Sequence, residues 1–388
     1  MIELRGITWG HTRGYLPMVA TAQRFEEERP EVRIDWRKRS LQEFADHPIE
    51  RLAEHYDLLV IDHPFCGYAA AHDVLLPLDS FLPTGFLTDQ AANSVGRSHA
   101  SYLYGGHQWA LAIDTATPVS GYRPDLLERA GVEPPRTWAE LLSLARRGLV
   151  AVPAIPIDSL MHFYMLSIAA GEEPFQSTDR VVGEAAGVRA LLMLRELVGA
   201  CNPECLQRNP IATWNLLARS NSVAYCPFAY GYSNYARRGY GPHALEFSDM
   251  VHTNAGEPLR STLGGAGLAV SSRCRHRDEA MAYCQFVAGA VCQKTLYFDA
   301  GGQPGHRQAW LDAEVNRRSS NYFRNTLPAL DRAYLRPRFD GYLHFQDSAG
   351  PVVHKYLSGS AGAEETLREL DSLWRMHEAV KRPADRGF

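Results

Sequence analysis

The chain has 388 residues, 45% of them hydrophobic and 22% charged, with a net charge of −4. A single hydrophobic core stops growing near roughly 250–300 residues, so two lobes are expected. Intermixed charges without a basic stripe exclude a nucleic-acid binder, and no apolar run reaches the roughly 18–20 residues of a membrane span, so no membrane insertion is expected.

IELRGITW at 2–9 reads as a strand that begins at once, with no basic or apolar leader before it. YLPMVATAQRFEEER (15–29) carries a partial apolar helical face in Leu16, Val19, Ala20 and Phe25, and Pro30 stops it. EVRIDW (31–36) alternates like a strand, and 41–54 forms a second helix interrupted by Pro48. YDLLVID (56–62) is a nearly continuous apolar run of the kind buried on both faces of a parallel sheet. Strand, helix, strand, helix, strand means an α/β lobe with a doubly wound sheet.

VLLPLDSFL (74–82) is an amphipathic segment closed by Pro83, and HQWALAID (107–114) and TPVSGYR (117–123) are two further strands. Pro124 opens a helix over 124–131, and Thr137 with Glu140 forms a capping box for another over 137–147. In MHFYMLSIAAG (161–171) the residues Met161, His162, Phe163 and Tyr164 suit a helix packed in a core, and Trp214 suits a core as well. A longer helix over 180–200 precedes strands at 221–230 and 263–271, a helix from about Asp278 to Phe298, and a mostly helical tail over 310–388.

In open α/β sheets, ligands bind beyond the carboxyl ends of the strands. Those positions hold Trp9, His11, Thr12 and Arg13 after the first strand, and Asp62, His63, Pro64 and Phe65 after the third. Asp114 follows HQWALAI, and Phe228, Tyr230 and Tyr232 lie at the end of the 221 strand. Flat rings beside a few polar groups are what a solute pocket needs, although turn chemistry selects the same residue types. Asn321, Tyr322 and Arg324 stand in a polar, aromatic loop that can cap such a cleft, whereas Glu172 and Glu173 read as solvated charge.

The order of these segments resembles the extracellular solute-binding proteins of ABC importers, in the sugar-binding branch called family 1. FEEERPEVRI, YDLLVIDHPFCGYAAAHDVLLPLDSFL, GGHQWALAIDTATPVSGYRPDLLERAGVEPPRTWAELLSLAR, LGGAGLAVSSRCRHRDEAMAYCQFVAG and AGGQPGHRQAW carry the resemblance, which covers most of 1–310. It implies the type II periplasmic-binding-protein fold: two doubly wound α/β lobes joined by hinge strands. Lobe 1 is then 1–112 with 263–310, lobe 2 is 116–260, and 311–388 is a helical segment packed on the lobes and hinge. Gly264 and Gly265 fall at a crossover, where glycine absorbs unusual dihedrals and admits a ligand to the backbone. The resemblance further implies a monomer that captures a small solute by hinge closure and hands it to an ABC permease.

Stacking aromatics suit a sugar, but His11, Arg13, His63, His306 and Arg307 depart from a neutral-sugar pocket. Arg13 precedes a helix start and forms bidentate pairs with carboxylates or phosphates, so an acidic solute such as a sugar acid is expected. Two alternatives stay open: a cleft enzyme in which Cys66 is a nucleophile beside His63, and a cytoplasmic sensor or carrier on the same fold. Seven cysteines leave at least one thiol free, which favours a reducing compartment; Cys201 and Cys205 can pair if the chain is exported. The localisation is periplasmic if an export signal was removed, and cytoplasmic otherwise. No cofactor and no metal are expected: zinc lacks a second ligand pair, and YCPFAYGYSNYARRGY holds no adjacent tyrosines for iron.

Overall fold

The computed structural model describes residues 1–39, 49–253 and 256–378. The first lobe runs β1 (Ile2–Trp9), α1 (Thr12–Glu28), β2 (Val32–Arg39), α2 (Ile49–His55) and β3 (Leu58–Ile61). Residues 41–48 of the expected second helix, Pro48 included, lie outside the described residues. α1 begins at Thr12 rather than Tyr15, because His11 caps it by accepting a hydrogen bond from the Arg13 N–H.

β4 (Leu111–Ala116), β5 (Pro118–Tyr122), α3 (Pro156–Ala169) and α4 (Glu184–Gly199) come next. They are followed by β6 (Tyr225–Tyr230), β7 (Glu246–Ser248), β8 (Gly264–Val270) and α5 (Arg277–Ala288). The tail holds α6 (Tyr322–Asp331), α7 (Tyr342–Leu357) and α8 (Ala363–Glu378). The expected strand over 107–114 is split. His107–Gln108 turns back on Leu103–Tyr104 through Gly105 and Gly106, both at positive φ, and β4 starts only at Leu111. The expected helix to Phe298 breaks at Gly289, whose backbone is extended.

The first sheet has the order β2-β1-β3-β8-β4. β1 is parallel to β2 and to β3, while β8 is antiparallel to both β3 and β4. The ends of β1, β3 and β4 and the start of β8 therefore meet at one edge. All four residues of β3 are buried, as a strand covered on both faces requires. One face carries a core of Leu4, Met18, Phe25 and Leu268, and the other a core of Ile7, Leu59, Ile61 and Ala269. The second sheet, β6-β5-β7, is antiparallel, with Val150 bridging Tyr225 in parallel. Its core extends through α3 and α4 into the tail, where Phe345, Val353, Leu367 and Trp374 join Met165 and Leu194.

Among the described residues, three crossing segments meet between the sheets. Thr117 links β4 to β5, and its hydroxyl donates to Thr262 O at 2.9 Å and sits 2.7 Å from Ser261 Oγ. Residues 261–263 lead into β8, and Tyr334 exchanges backbone bonds with Ser261 and Leu263. Thr117, Ser261 and Thr262 are fully buried and fully paired, so the crossings form one hydrogen-bonded junction.

Candidate functional site

At the shared strand edge two guanidinium–carboxylate pairs, one buried and one with a partly exposed carboxylate, stand near tyrosines of the second sheet. Arg13, from the first turn of α1, points across the edge to Asp114 at the end of β4. Its Nε donates to Asp114 Oδ2 at 2.7 Å, Nη2 donates to Oδ1, and Nη1 donates to Gly231 O at 2.7 Å. The guanidinium lies 4.6 Å from the centre of the Tyr232 ring. Burial alone would pull the Arg13 pKa down, and Asp114 more than reverses it, so the charge is held. Burial pushes the Asp114 carboxyl up while Arg13 pulls it back. A Cβ on Gly231 would sit 2.0 Å from Tyr322 Oη, so a larger residue there requires that ring to move.

The second pair joins Asp62, just after β3, to Arg336, just after the third crossing. Arg336 Nη2 donates to Asp62 Oδ2 at 2.8 Å and Nη1 donates to Gln346 Oε1 at 2.8 Å. Burial would raise the Asp62 carboxyl, but Arg336 and His63 hold it well below the ordinary range. Arg336 interacts electrostatically with Asp62, Tyr230 and Tyr342. Tyr230 is fixed by Thr262, their hydroxyls 2.9 Å apart, and it fills the space that a side chain at Gly264 would need. Gly265 has φ of +104° and packs against the Asp114 carbonyl, a place only glycine takes without strain.

The wall facing these pairs is built by α3 and β6. Asp158 and His162 are four apart and so share a face of α3, a helix otherwise apolar almost throughout. The His162 ring meets Phe228 edge-on at 4.5 Å, and Asp158 acts electrostatically on Tyr230 and Tyr232. Asp158 Oδ2 and His162 Nδ1 are buried without a hydrogen-bond partner among the described residues. Burial raises the Asp158 carboxyl to about 8 and lowers His162 to about 3. Arg336 Nε and both ring nitrogens of His63 are likewise buried without a hydrogen-bond partner among the described residues, whereas the hydroxyls of Tyr164 and Tyr342 interact with each other. His63 Nδ1 is 3.1 Å from Asp62 Oδ1 without a well-formed bond, and burial takes this imidazole down to about 4.

Of the residues singled out in the sequence, His11, Thr12, Arg13, Asp62, His63, Asp114, Phe228, Tyr230, Tyr232, Gly264 and Gly265 gather at this junction. His11 lies against Tyr232 at 4.7 Å, and burial followed by Arg13 lowers it to about 4. Trp9 turns inward under α1, leaving no room for a Cβ on Gly14. Pro64 and Phe65 are buried, Phe65 in the first-lobe core. Arg307 pairs with Asp331 at 2.6 Å, and its backbone N–H donates to Asn93 O, so it belongs to a separate contact. Cys66 packs in the core with its thiol pushed up to about 12 by burial, which leaves no thiolate for nucleophilic attack. Cys201 and Cys205 are both free and buried. Among the described residues, no three His, Cys, Asp or Glu side chains are placed to hold a metal ion.

Sequence reasoning missed Arg336, Gln346, Gly231 and Tyr240, and it assigned His162 to plain packing. Arg336 has no local signal: its partner Asp62 is 274 residues away. Asp158 and His162 did have one, since a carboxylate and an imidazole at helical spacing inside an apolar helix are costly to bury.

Residues 9–186 match the family of bacterial extracellular solute-binding proteins. The whole chain superposes on solved structures of such proteins. The maltose-bound MalE3 of T. maritima is 16% identical, with 97% of this chain and 100% of that one covered and a TM-score of 0.83. The GacH receptor of Streptomyces glaucescens GLA.O, solved unliganded and with acarbose, is 20% identical over 98% and 99% of the two chains, with a TM-score of 0.80. A solute-binding protein of Thermotoga lettingae TMO bound with α-D-tagatose is 17% identical over 97% and 100%, with a TM-score of 0.82. At these identities the structures share the fold.

Proposed function

We propose that this chain acts as a bacterial extracellular solute-binding protein, capturing an uncharged polyhydroxylated solute, a sugar or polyol, between its two lobes and delivering it to the permease of an ABC importer. Family members are extracellular or periplasmic binding proteins, and the same location and a non-enzymatic role are assigned to this chain. Among the described residues, no helix is long and apolar enough to cross a membrane. In this reading 1–112 with 263–310 and 116–260 are the moving lobes, and the tail from 311 rides mainly with the second.

One observation carries the solute class: a set of buried, unpartnered polar atoms on both walls of the junction. Arg336 Nε can only donate, while His162 and His63 can serve as donor or acceptor. A hydroxyl donates and accepts at once and therefore answers both kinds, whereas a carboxylate only accepts. The strong cations are already committed: Arg13 to Asp114 and Gly231, and Arg336 to Asp62 and Gln346. That weakens the ground for expecting an acidic solute, which rested on the strand-end cluster of His11, Arg13, His63, His306 and Arg307 and above all on a free Arg13.

The test is a thermal-shift screen of neutral sugars and polyols against sugar acids and sugar phosphates, followed by calorimetry. A true solute at 100 times its Kd stabilises the fold by about 2.7 kcal/mol. The expected result is a shift by one or more neutral compounds that is lost in His162→Ala. Shifts produced only by acids or phosphates would overturn the assignment of solute class.

A further inference from the structure

The chain also carries a device that acts on closure itself. Residues 231–240 leave β6 and cross to the first lobe. They are rooted in the second lobe: Tyr235 Oη lies 3.1 Å from Asn215 Oδ1, and the Tyr235 carbonyl accepts from Leu245 N–H. From there they hydrogen-bond directly to 298–303 and to the start of α1. Ser233 N–H donates to Gln303 Oε1 at 2.9 Å, and Asn234 Nδ2 donates to Gly301 O at 3.0 Å. Arg237 donates to Phe298 O at 2.8 Å and to Gly302 O at 3.2 Å. The receiving segment lies at the junction itself: Gln303 exchanges bonds with Thr115, beside the crossing at Thr117, and Phe298 packs in the core of the second sheet. At the far end Tyr240 Oη sits 2.8 Å from Thr12 Oγ1 and 3.3 Å from His11 Nε2.

None of these bonds uses the unpartnered atoms assigned to the solute. They are complete within the chain, and those of Tyr240 to Thr12 and His11 exist only while the lobes are together. We propose that residues 231–240 are a strap that holds the lobes shut without solute, with Tyr240 as its clasp. The inference rests on the two-lobe reading of the fold but not on the nature of the solute. A closed resting state makes solute access wait for the strap to open, slowing association, and makes release equally slow.

The strap is tested on the full chain without solute, by pulsed electron–electron distance measurement between nitroxides at Glu27→Cys and Arg129→Cys. Both positions are exposed, while all seven native cysteines are buried. The expected result is a predominantly short distance in the parent and a roughly tenfold lower closed-to-open ratio in Tyr240→Phe, as loss of two hydrogen bonds predicts. Arg237→Met, which removes the two bonds that root the strap on 298–302, should shift the ratio the same way. A parent that is mainly open, or a Tyr240→Phe distribution identical to the parent's, overturns the strap. If maltose or another compound from the thermal screen closes an open parent, the strap alone fails and the hinge reading stands. If the distance is single-valued in every variant and with every compound, the hinge reading falls too.

Discussion

Asp158 offers the sharpest quantitative test. It is 3% exposed, one carboxylate oxygen has no hydrogen-bond partner, and burial lifts its pKa from 3.8 to about 8. In the unfolded chain the carboxyl ionises near its ordinary value, while in the folded protein it keeps its proton to well above neutral pH. Between those limits the folded state binds more protons, so stability falls as pH rises, by about 1.4 kcal/mol per pH unit for this one group. Summed from 3.8 to pH 7, the penalty is on the order of 4 kcal/mol. Asp158→Asn keeps the shape and removes the titration. The variant should match the parent near pH 4 and exceed it by up to about 4 kcal/mol at pH 7. Urea unfolding at pH 4.5, 6 and 7.5, extrapolated to water, measures the difference directly. Histidines 11, 63 and 162 titrate in both proteins and cancel in the comparison. A variant-minus-parent difference that stays constant with pH would refute the reasoning, because it would mean that Asp158 is already ionised and paired. If the group serves the solute, the more stable variant should also bind the solute more weakly, the usual trade between stability and function.

Three further outcomes follow from the junction. Arg13→Ala strands a buried Asp114 and should cost about 3–5 kcal/mol in chemical denaturation, with Arg13→Met combined with Asp114→Leu recovering most of it; a loss below about 1 kcal/mol would mean the pair is solvated. Gly231→Ala drives a methyl into Tyr322 Oη and should cost about 1–3 kcal/mol, substantially restored by adding Tyr322→Phe; thermal melts of the single and double variants decide it. Cys66 should resist iodoacetamide in the native protein at pH 7.5 and react only as fast as the chain unfolds, followed by mass spectrometry; rapid native labelling would revive the nucleophile.

What could be read from the sequence was what is local. β3 announces itself as an unbroken apolar run, the capping box at Thr137 and Glu140 forms as written, and the rule about strand ends led to Arg13, Asp62 and Asp114. The meaning of those residues was not local. Arg13 beside a helix start argued for an anion, but its charge is committed to a carboxylate 101 residues on and a carbonyl 218 residues on. Asp62 likewise meets its arginine only through the third crossing, which no periodicity marks. A buried charge is costly until it is paired, so a strand-end arginine carries information about a ligand only after its intramolecular partners have been found. The reverse holds for Asp158 and His162. Asp158 Oδ2 and His162 Nδ1 have no hydrogen-bond partner among the described residues, and a helix that could have been filled with leucine instead keeps two polar groups facing the same way. Unpaired burial of that kind is expensive, and for that reason the proposed function rests on these two residues rather than on the charged residues at the strand ends.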